Sequence, residues 1–396
     1  MQESQNKPVE LLNKVPQITL FFWLIKILCT TVGETFADFI NFNIGLGLTV
    51  TTIIMGIALG IALFFQFRVD RYKPFLYWIS VVLLSMFGTL VTDNLTDNMG
   101  VPLELSTVIF SLSLALTFLF WYKSEKTLSI HSVFTRKREA FYWLTILFTF
   151  ALGTAVGDLY SEQLGFGYLY TGIGVVIIIA LVYLAYQYMN LNSILAFWVA
   201  YILTRPLGAS LGDLLSQSRA NGGFGFGTTV TSVIFLVAIL AIIIYLAITK
   251  IDYVDHTVTS TTVNGTNRIA VLMQTIAVLL VFLIGGLGIY QWRMNSIAPS
   301  SATLSGKLNK FITIEKSIKQ AAAHKDYTAA KTNADQLEHD WDADEPKLRA
   351  IDNKQWTQVD GTIDSVLAAV RASNPDTAKI NNAVTQSQST INQVNK

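Results

Sequence analysis

Charge is scarce in this chain: 14% of its 396 residues are Asp, Glu, Lys or Arg, against about 25% in an ordinary soluble domain. A water-soluble globule is excluded. The few charges also balance, with 28 basic and 27 acidic residues and a net charge of +1, so no one-signed field points to nucleic acid or a charged macromolecular partner. Cysteine is nearly absent. The single Cys29 rules out a disulfide framework and a thiolate metal cluster. Catalytic signatures are missing too: there is no His-Glu-x-x-His, no Gly-x-Ser-x-Gly and no phosphate loop. The segments nearest to the Gly-x-Gly-Asp of intramembrane aspartyl proteases are Ala155-Val156-Gly157-Asp158 and Ser210-Leu211-Gly212-Asp213, and both lack the first glycine. No enzyme is expected.

Hydrophobic residues make up 52% of the chain. Apolar stretches such as Ile53–Phe65 and Val175–Ala185 lie inside weakly polar segments of about 20 residues, enough to cross a bilayer core as helix. Nine spans are predicted, near 18–40, 44–67, 75–94, 102–121, 140–160, 166–186, 193–215, 226–248 and 269–291. Helix is required because lipid cannot satisfy backbone polar groups. The polar segment 1–16 runs into the first span without a small-residue cleavage site, which reads as a retained signal-anchor. Twelve basic residues fall on one side of the spans (Lys7, Lys14, Arg68, Arg71, Lys73, Lys123, Lys126, Arg136, Lys137, Arg138, Lys250 and Arg268), while the four loops of the other side hold Arg219 alone. The positive-inside rule then places the N-terminus in the cytoplasm and the C-terminus outside.

From Arg293 onward, 13 basic and 12 acidic residues accompany amphipathic segments near 303–324, 327–349, 354–372 and 376–394. This reads as an extracytoplasmic helical bundle, 293–396, with Ala302–Gly306 as linker. The expected organisation is a transmembrane core, 1–250, a cytoplasmic connector, 251–268, a ninth transmembrane helix, 269–292, and that bundle; the fold class is all-α and polytopic.

The strongest signal is a spacing. Trp23, Gly33 and Asp38 recur as Trp78, Gly88 and Asp93, as Trp143, Gly153 and Asp158, and as Trp198, Gly208 and Asp213, with ten residues from Trp to Gly and five from Gly to Asp every time. A glycine follows each Asp (Gly45, Gly100, Gly165, Gly225), and six residues later stands Thr51, Ser106, Thr171 or Thr231. Each unit is a two-helix hairpin. Two crossings restart on the same side, so the repeats are parallel, unlike inverted transporter repeats, and the four aspartates share one depth. Trp to Asp spans about 22 Å of helix; a Trp in the interfacial belt therefore places its Asp in the outer third of the core. Small residues four after each glycine (Ala37, Thr92, Gly157, Gly212) make small-xxx-small stripes for close helix packing.

Ionisable side chains at membrane depth are functional suspects. The spans hold Glu34, Asp38, Asp93, Asp158 and Asp213 against Lys26 and Arg205, with Glu34 and Asp38 one turn apart on one face. Capping and cross-linking of hairpins is one reading. The other is a ring of carboxylates, with the hydroxyls of Thr51, Ser106, Thr171 and Thr231, that binds a small cation or relays protons, with Lys26 and Arg205 as counter-ions. Such hard ligands suit protons, alkali ions, Mg²⁺, Mn²⁺ or Ca²⁺. No organic cofactor is implied. Pro206 is placed to kink the seventh span, as at many transporter sites. In the outer segment, Asp335, His339 and Asp342 fall on one helix face and form a second candidate metal set, a solvated acidic face being the alternative; Trp341 and Trp356 are assigned to the bundle core.

The unit written as Trp23…Lys26…Thr30-Thr31-Val32-Gly33-Glu34-Thr35…Asp38 and as Thr204-Arg205-Pro206-Leu207-Gly208-Ala209…Gly212-Asp213 resembles a bacterial integral membrane family defined by four copies of a repeat of unknown function. The resemblance covers roughly residues 14–250. It implies an eight-helix core in a bacterial inner membrane and supplies no substrate. The outer bundle loosely resembles helical extracytoplasmic modules attached to metal permeases. The expectation is transport of a small cation or proton-coupled solute, with a divalent metal among the candidates; the alternative is a non-transporting scaffold or sensor that anchors the bundle.

Overall fold

The computed structural model describes residues 13–40, 46–217, 219, 222–253, 268–297, 303–372 and 374–395. Lys7, Gly45, Ala302 and most of the 251–268 connector lie outside the described residues. Among the described residues all regular structure is helical, and nine helices are long and apolar enough to cross a membrane. They are α1 (Leu20–Asp38), α2 (Leu48–Arg68), α3 (Pro74–Asp93), α4 (Leu103–Glu125), α5 (Arg136–Asp158), α6 (Gly167–Tyr188), α7 (Ser193–Ser216), α8 (Gly227–Thr249) and α9 (Arg268–Ile297). Four more follow: α10 (Asn309–Ala323), α11 (Tyr327–Ile351), α12 (Asn353–Arg371) and α13 (Thr377–Val394). The chemistry at their starts is conventional. Thr19, Thr135 and Asn192 cap α1, α5 and α7 through their side chains, and Pro74 opens α3.

The first eight helices form two concentric layers. In α1, α3, α5 and α7 half or more of the most apolar window is buried (61%, 67%, 61% and 50%), whereas in α2, α4, α6 and α8 the shares are 17%, 28%, 11% and 28%. The inner helices pack in a closed cycle, α1 on α3, α3 on α5, α5 on α7 and α7 on α1. Each outer helix packs on the inner helix of the next unit: α2 on α3, α4 on α5, α6 on α7 and α8 on α1. A parallel two-helix repeat thus closes into a pseudo-four-fold ring.

The repeat glycines make the closure possible. A Cβ on Gly33 would overlap Ser85, one on Gly88 would stand 2.7 Å from Phe150 Cβ, one on Gly153 would meet Arg205, and one on Gly208 would overlap Thr30. Ser85, Phe150, Arg205 and Thr30 each stand three residues before the glycine of their own unit, so one contact is made four times around the ring. The second small position adds to it: Gly212 lies against Thr35 and Gly157 against Pro206, and Thr92 Oγ1 donates to Ala151 O at 3.2 Å.

At the Trp end, the aromatic residue before each Trp meets the Trp of the next unit: Phe22 with Trp78, Tyr77 with Trp143, Tyr142 with Trp198, and Phe197 with Trp23, at ring separations of 5.6, 5.4, 6.3 and 5.6 Å. Trp78, Trp143 and Trp198 are therefore buried in the core, which corrects the interfacial-belt placement. Their indole N–H groups find Tyr72 OH, Glu139 Oε1 and Leu128 O inside the protein, so water or headgroups are not needed as partners.

Helix α9 stands outside both layers, with no buried residue in its most apolar stretch, and is tied by polar contacts at its two ends. Gln274 bonds the backbone at Asn190 and Asn192. Toward its other end, Tyr290 OH donates to Glu104 at 3.0 Å and Arg293 donates to the carbonyls of Leu164 and Gly165. Helices α10 to α13 enclose an apolar core of their own that includes stacked Trp341 and Trp356. That bundle rests on the Asp end of the ring, with α11 against residues 159–163 and α12 against residues 94–98.

Candidate functional site: an acidic cluster at the Asp end of the ring

The repeat aspartates Asp38, Asp93 and Asp158 each end an α-helix, and after Asp93 and Asp158 the chain widens into a single π turn, Asn94–Asn98 and Leu159–Gln163. A π turn kept in equivalent places of two units is a designed irregularity of the kind that clusters at functional sites. The glycines that follow, Gly100 and Gly165, hold φ of 68° and 64°, a region costly for other residues. The register therefore needs glycine where the chain turns back. Asp213 differs, since α7 runs on to Ser216.

Three carboxylates converge. Glu34, Asp38 and Asp213 each place one oxygen within 4.8 Å of the others, and among the described residues this is the one group of three or more metal-capable side chains. Asp93 and Asp158 stand outside that trio, half-buried at the same end of the ring, with Glu34 among the charges each one feels. The floor is Arg205, wholly buried. From α7 its Nη2 pairs with Glu34 on α1 and donates to Thr89 Oγ1, 2.5 Å away on α3 across the ring. The guanidinium thus crosses the axis. Its Nε and Nη1 have no partner.

Below that floor the axis is filled. Lys26 Nζ lies 3.9 Å from the Phe150 ring centroid and 4.3 Å from that of Tyr201, with no hydrogen-bond partner. Lys26 is thus not the counter-ion that composition suggested. Eight residues of helix, about 12 Å, separate it from Glu34, and aromatic faces take the place of a carboxylate. The four-fold aromatic layer, with Tyr77 and Tyr142 joined hydroxyl to hydroxyl at 2.5 Å, closes the axis further on.

The predicted hydroxyls do not join the carboxylates. Thr51 donates to Gly47 O in its own helix at 2.8 Å, and Ser106, Thr171 and Thr231 have no bonding partner at their Oγ atoms. The next residue along makes the inter-unit contact instead: Thr52 with Asn94, and Ser232 with Thr35. In the bundle, Asp335 and Glu338 are ion-paired with Arg371, and Asp335, His339 and Asp342 do not converge as a metal site. Helical spacing put them on one face, but a basic residue of a different helix had to be placed before their partner was known.

Sequence reasoning passed over two acids of the cluster's rim, Asp97 and Glu162, each four residues after a repeat Asp and so one turn further out. It also missed what faces them. Asp360 and Asp364 on α12 have Asp97 among the charges each one feels, while Asp360 Oδ1 accepts from Trp341 Nε1 at 2.7 Å within the bundle. Burial and the facing Asp97 push the Asp364 carboxyl up to about 7. Arg349 of α11 has Asp97 and Glu162 among its charged neighbours, and its ion pair is with Glu345 of its own helix. The i, i+4 spacing of Asp93 with Asp97 and of Asp158 with Glu162 was a readable signal for the rim.

Two layers of helices built from four copies of one hairpin define a polytopic helical repeat protein. The family model described as a Repeat of Unknown Function (DUF347) matches residues 21–72, 76–127, 141–190 and 196–252, one inner and one outer helix each time. The chain belongs to that family. Comparison with curated proteins and with solved structures finds no match.

Proposed function

We propose that the protein transports a small cation, or a solute coupled to protons, across the bacterial inner membrane through the acidic cluster, with a divalent metal such as Mn²⁺ or Mg²⁺ as the leading class of ion. The observation that supports this is the convergence of Glu34, Asp38 and Asp213 within 4.8 Å. Three carboxylates against one paired guanidinium leave uncompensated negative charge at membrane depth, which a bound hard cation or protons relieve. By the positive-inside bias the Trp end faces the cytoplasm and the cluster faces out. Arg205, Lys26 and the aromatic layer close the cytoplasmic half, so passage requires the inner helices to shift against one another, with the glycine contacts as the sliding surfaces.

The same closed axis favours a second reading, in which the ring is a non-transporting scaffold that holds the bundle. Mn²⁺ uptake by liposomes separates the two. Asp38→Asn and Asp213→Asn, which keep volume and lose charge, should abolish uptake and leave a folded protein. Normal uptake in both variants removes the carboxylate mechanism, and no uptake by the unaltered chain leaves the scaffold.

A further inference from the structure

The bundle covers the cluster with acid facing acid. Core residues Asp38 and Asp97 lie in electrostatic range of Asp364 on α12, and Glu162 in range of Glu345 on α11. Like charges brought together at an interface oppose docking. Yet the surfaces meet closely. A Cβ on Gly165 would stand 3.4 Å from Pro346 Cβ, one on Gly100 would stand 3.8 Å from Thr357 Cγ2, and Asn353 Nδ2 lies 3.4 Å from Gly100 O.

One bundle residue is placed to offset the repulsion. Arg349 is 4% exposed, and three bundle groups hold its guanidinium: Glu345 accepts from Nη1 at 2.7 Å, Asn353 accepts from Nε at 2.8 Å, and the Trp356 ring lies 4.5 Å away. Its Nη2 has no partner, and across the interface its charged neighbours are Asp97 and Glu162. Two buried arginines thus flank the acids, Arg205 on the ring side and Arg349 on the bundle side.

We propose that the C-terminal bundle is a lid on the acidic cluster, latched by Arg349 against the Asp97 and Glu162 rim. Arg349 supplies positive charge where a cation entering from outside would first stand, so an incoming cation competes with the latch. One bound in the cluster offsets the apposed carboxylates and holds the lid down. This lid rests on the cation reading for its ligand but not for its geometry.

The test reads lid opening separately from transport. In full-length protein with Cys29→Ser, Ser161→Cys places a thiol on the buried 159–163 turn that α11 covers. Its rate of modification by a cationic, membrane-impermeant methanethiosulfonate reports access. Arg349→Gln should speed modification by about tenfold or more, as removal of one partner of a buried interfacial charge set does. Asn353→Ala, which removes the bond to Gly100 O and the acceptor of Arg349 Nε, should speed it as well. Equal rates in the reference, Arg349→Gln and Asn353→Ala proteins overturn the lid, whatever the flux. Should Arg349→Gln fail to fold, Asn353→Ala alone decides. Mn²⁺ flux is measured in parallel in proteins without Ser161→Cys. Flux indifferent to both variants also overturns the lid while leaving transport standing. A lid that responds when the unaltered protein shows no flux sustains the lid and overturns transport.

Discussion

Gly88 offers the sharpest test of the ring. Alanine in place of glycine inside a helix ordinarily stabilises by about 0.5–1 kcal/mol, because the backbone loses less freedom on folding. At Gly88 the added Cβ would stand 2.7 Å from Phe150 Cβ and 3.3 Å from the Ala151 backbone nitrogen. Neither neighbour is the free end of a flexible side chain, so α3 and α5 must separate, and overpacking of this kind costs about 1–3 kcal/mol. The net expectation for Gly88→Ala is destabilisation of roughly 0–2 kcal/mol. Gly60 and Gly174 are also helical but have nothing within 4 Å of such a Cβ, and alanine there should be neutral or stabilising by up to about 1 kcal/mol. Cys29 is the single cysteine and wholly buried in α1, so a thiol-reactive dye during a thermal ramp in detergent reports unfolding of the ring itself. Gly88→Ala should melt below the unaltered protein and Gly174→Ala at or above it. If the two variants melt together, the glycines are not the contact that closes the cycle.

Arg205→Met leaves Glu34 buried without its base and should cost about 3–5 kcal/mol, while the double variant with Glu34→Gln recovers part of that loss; additive losses in the same melting assay would show that the pair is not coupled. Glu315 lies wholly buried in the bundle, and burial pushes its carboxyl from 4.5 up to about 7. Between those values the folded bundle holds a proton that the unfolded chain has released, so stability falls as pH rises across that window, by on the order of 3 kcal/mol in all. Calorimetry in detergent at pH 5 and pH 8 should show that loss and its disappearance in Glu315→Gln; equal pH dependence in both refutes it. Truncation after Tyr253, which keeps the Tyr72–Asp252 bond, should leave a folded ring, since α9 packs outside both layers; loss of the Cys29-detected transition would show that the ring needs α9.

Much of the architecture was legible because helical spans and repeats are local or periodic properties of the chain. Nine spans and four bundle helices could be read from apolar runs and amphipathic periods, although the start of α5 at Arg136, capped by Thr135, lies before the apolar run that marked it. The ten-and-five spacing of Trp, Gly and Asp announced four equivalent hairpins with their acids at one depth. That Glu34 and Asp38 share a face followed from their separation of four.

What the spacing does not contain is which surface meets which. A sequence repeat is compatible with a row, a stack or a ring, and the closed cycle emerges only when Gly208 is found against Thr30, joining the last inner helix to the first. The same closure moves the tryptophans from a lipid belt into an aromatic layer and sends the Arg205 side chain across the axis to Glu34 and Thr89, more than a hundred residues away in sequence. It leaves Lys26 over Phe150 and Tyr201, where composition had paired it with a carboxylate. The docking of the bundle was equally hidden, because Arg349, Asp97 and Glu162 lie in segments with no shared period. Local propensity and hydrophobic period are written residue by residue along the chain, whereas the partner of a buried charge depends on distances that exist only after the ring has closed.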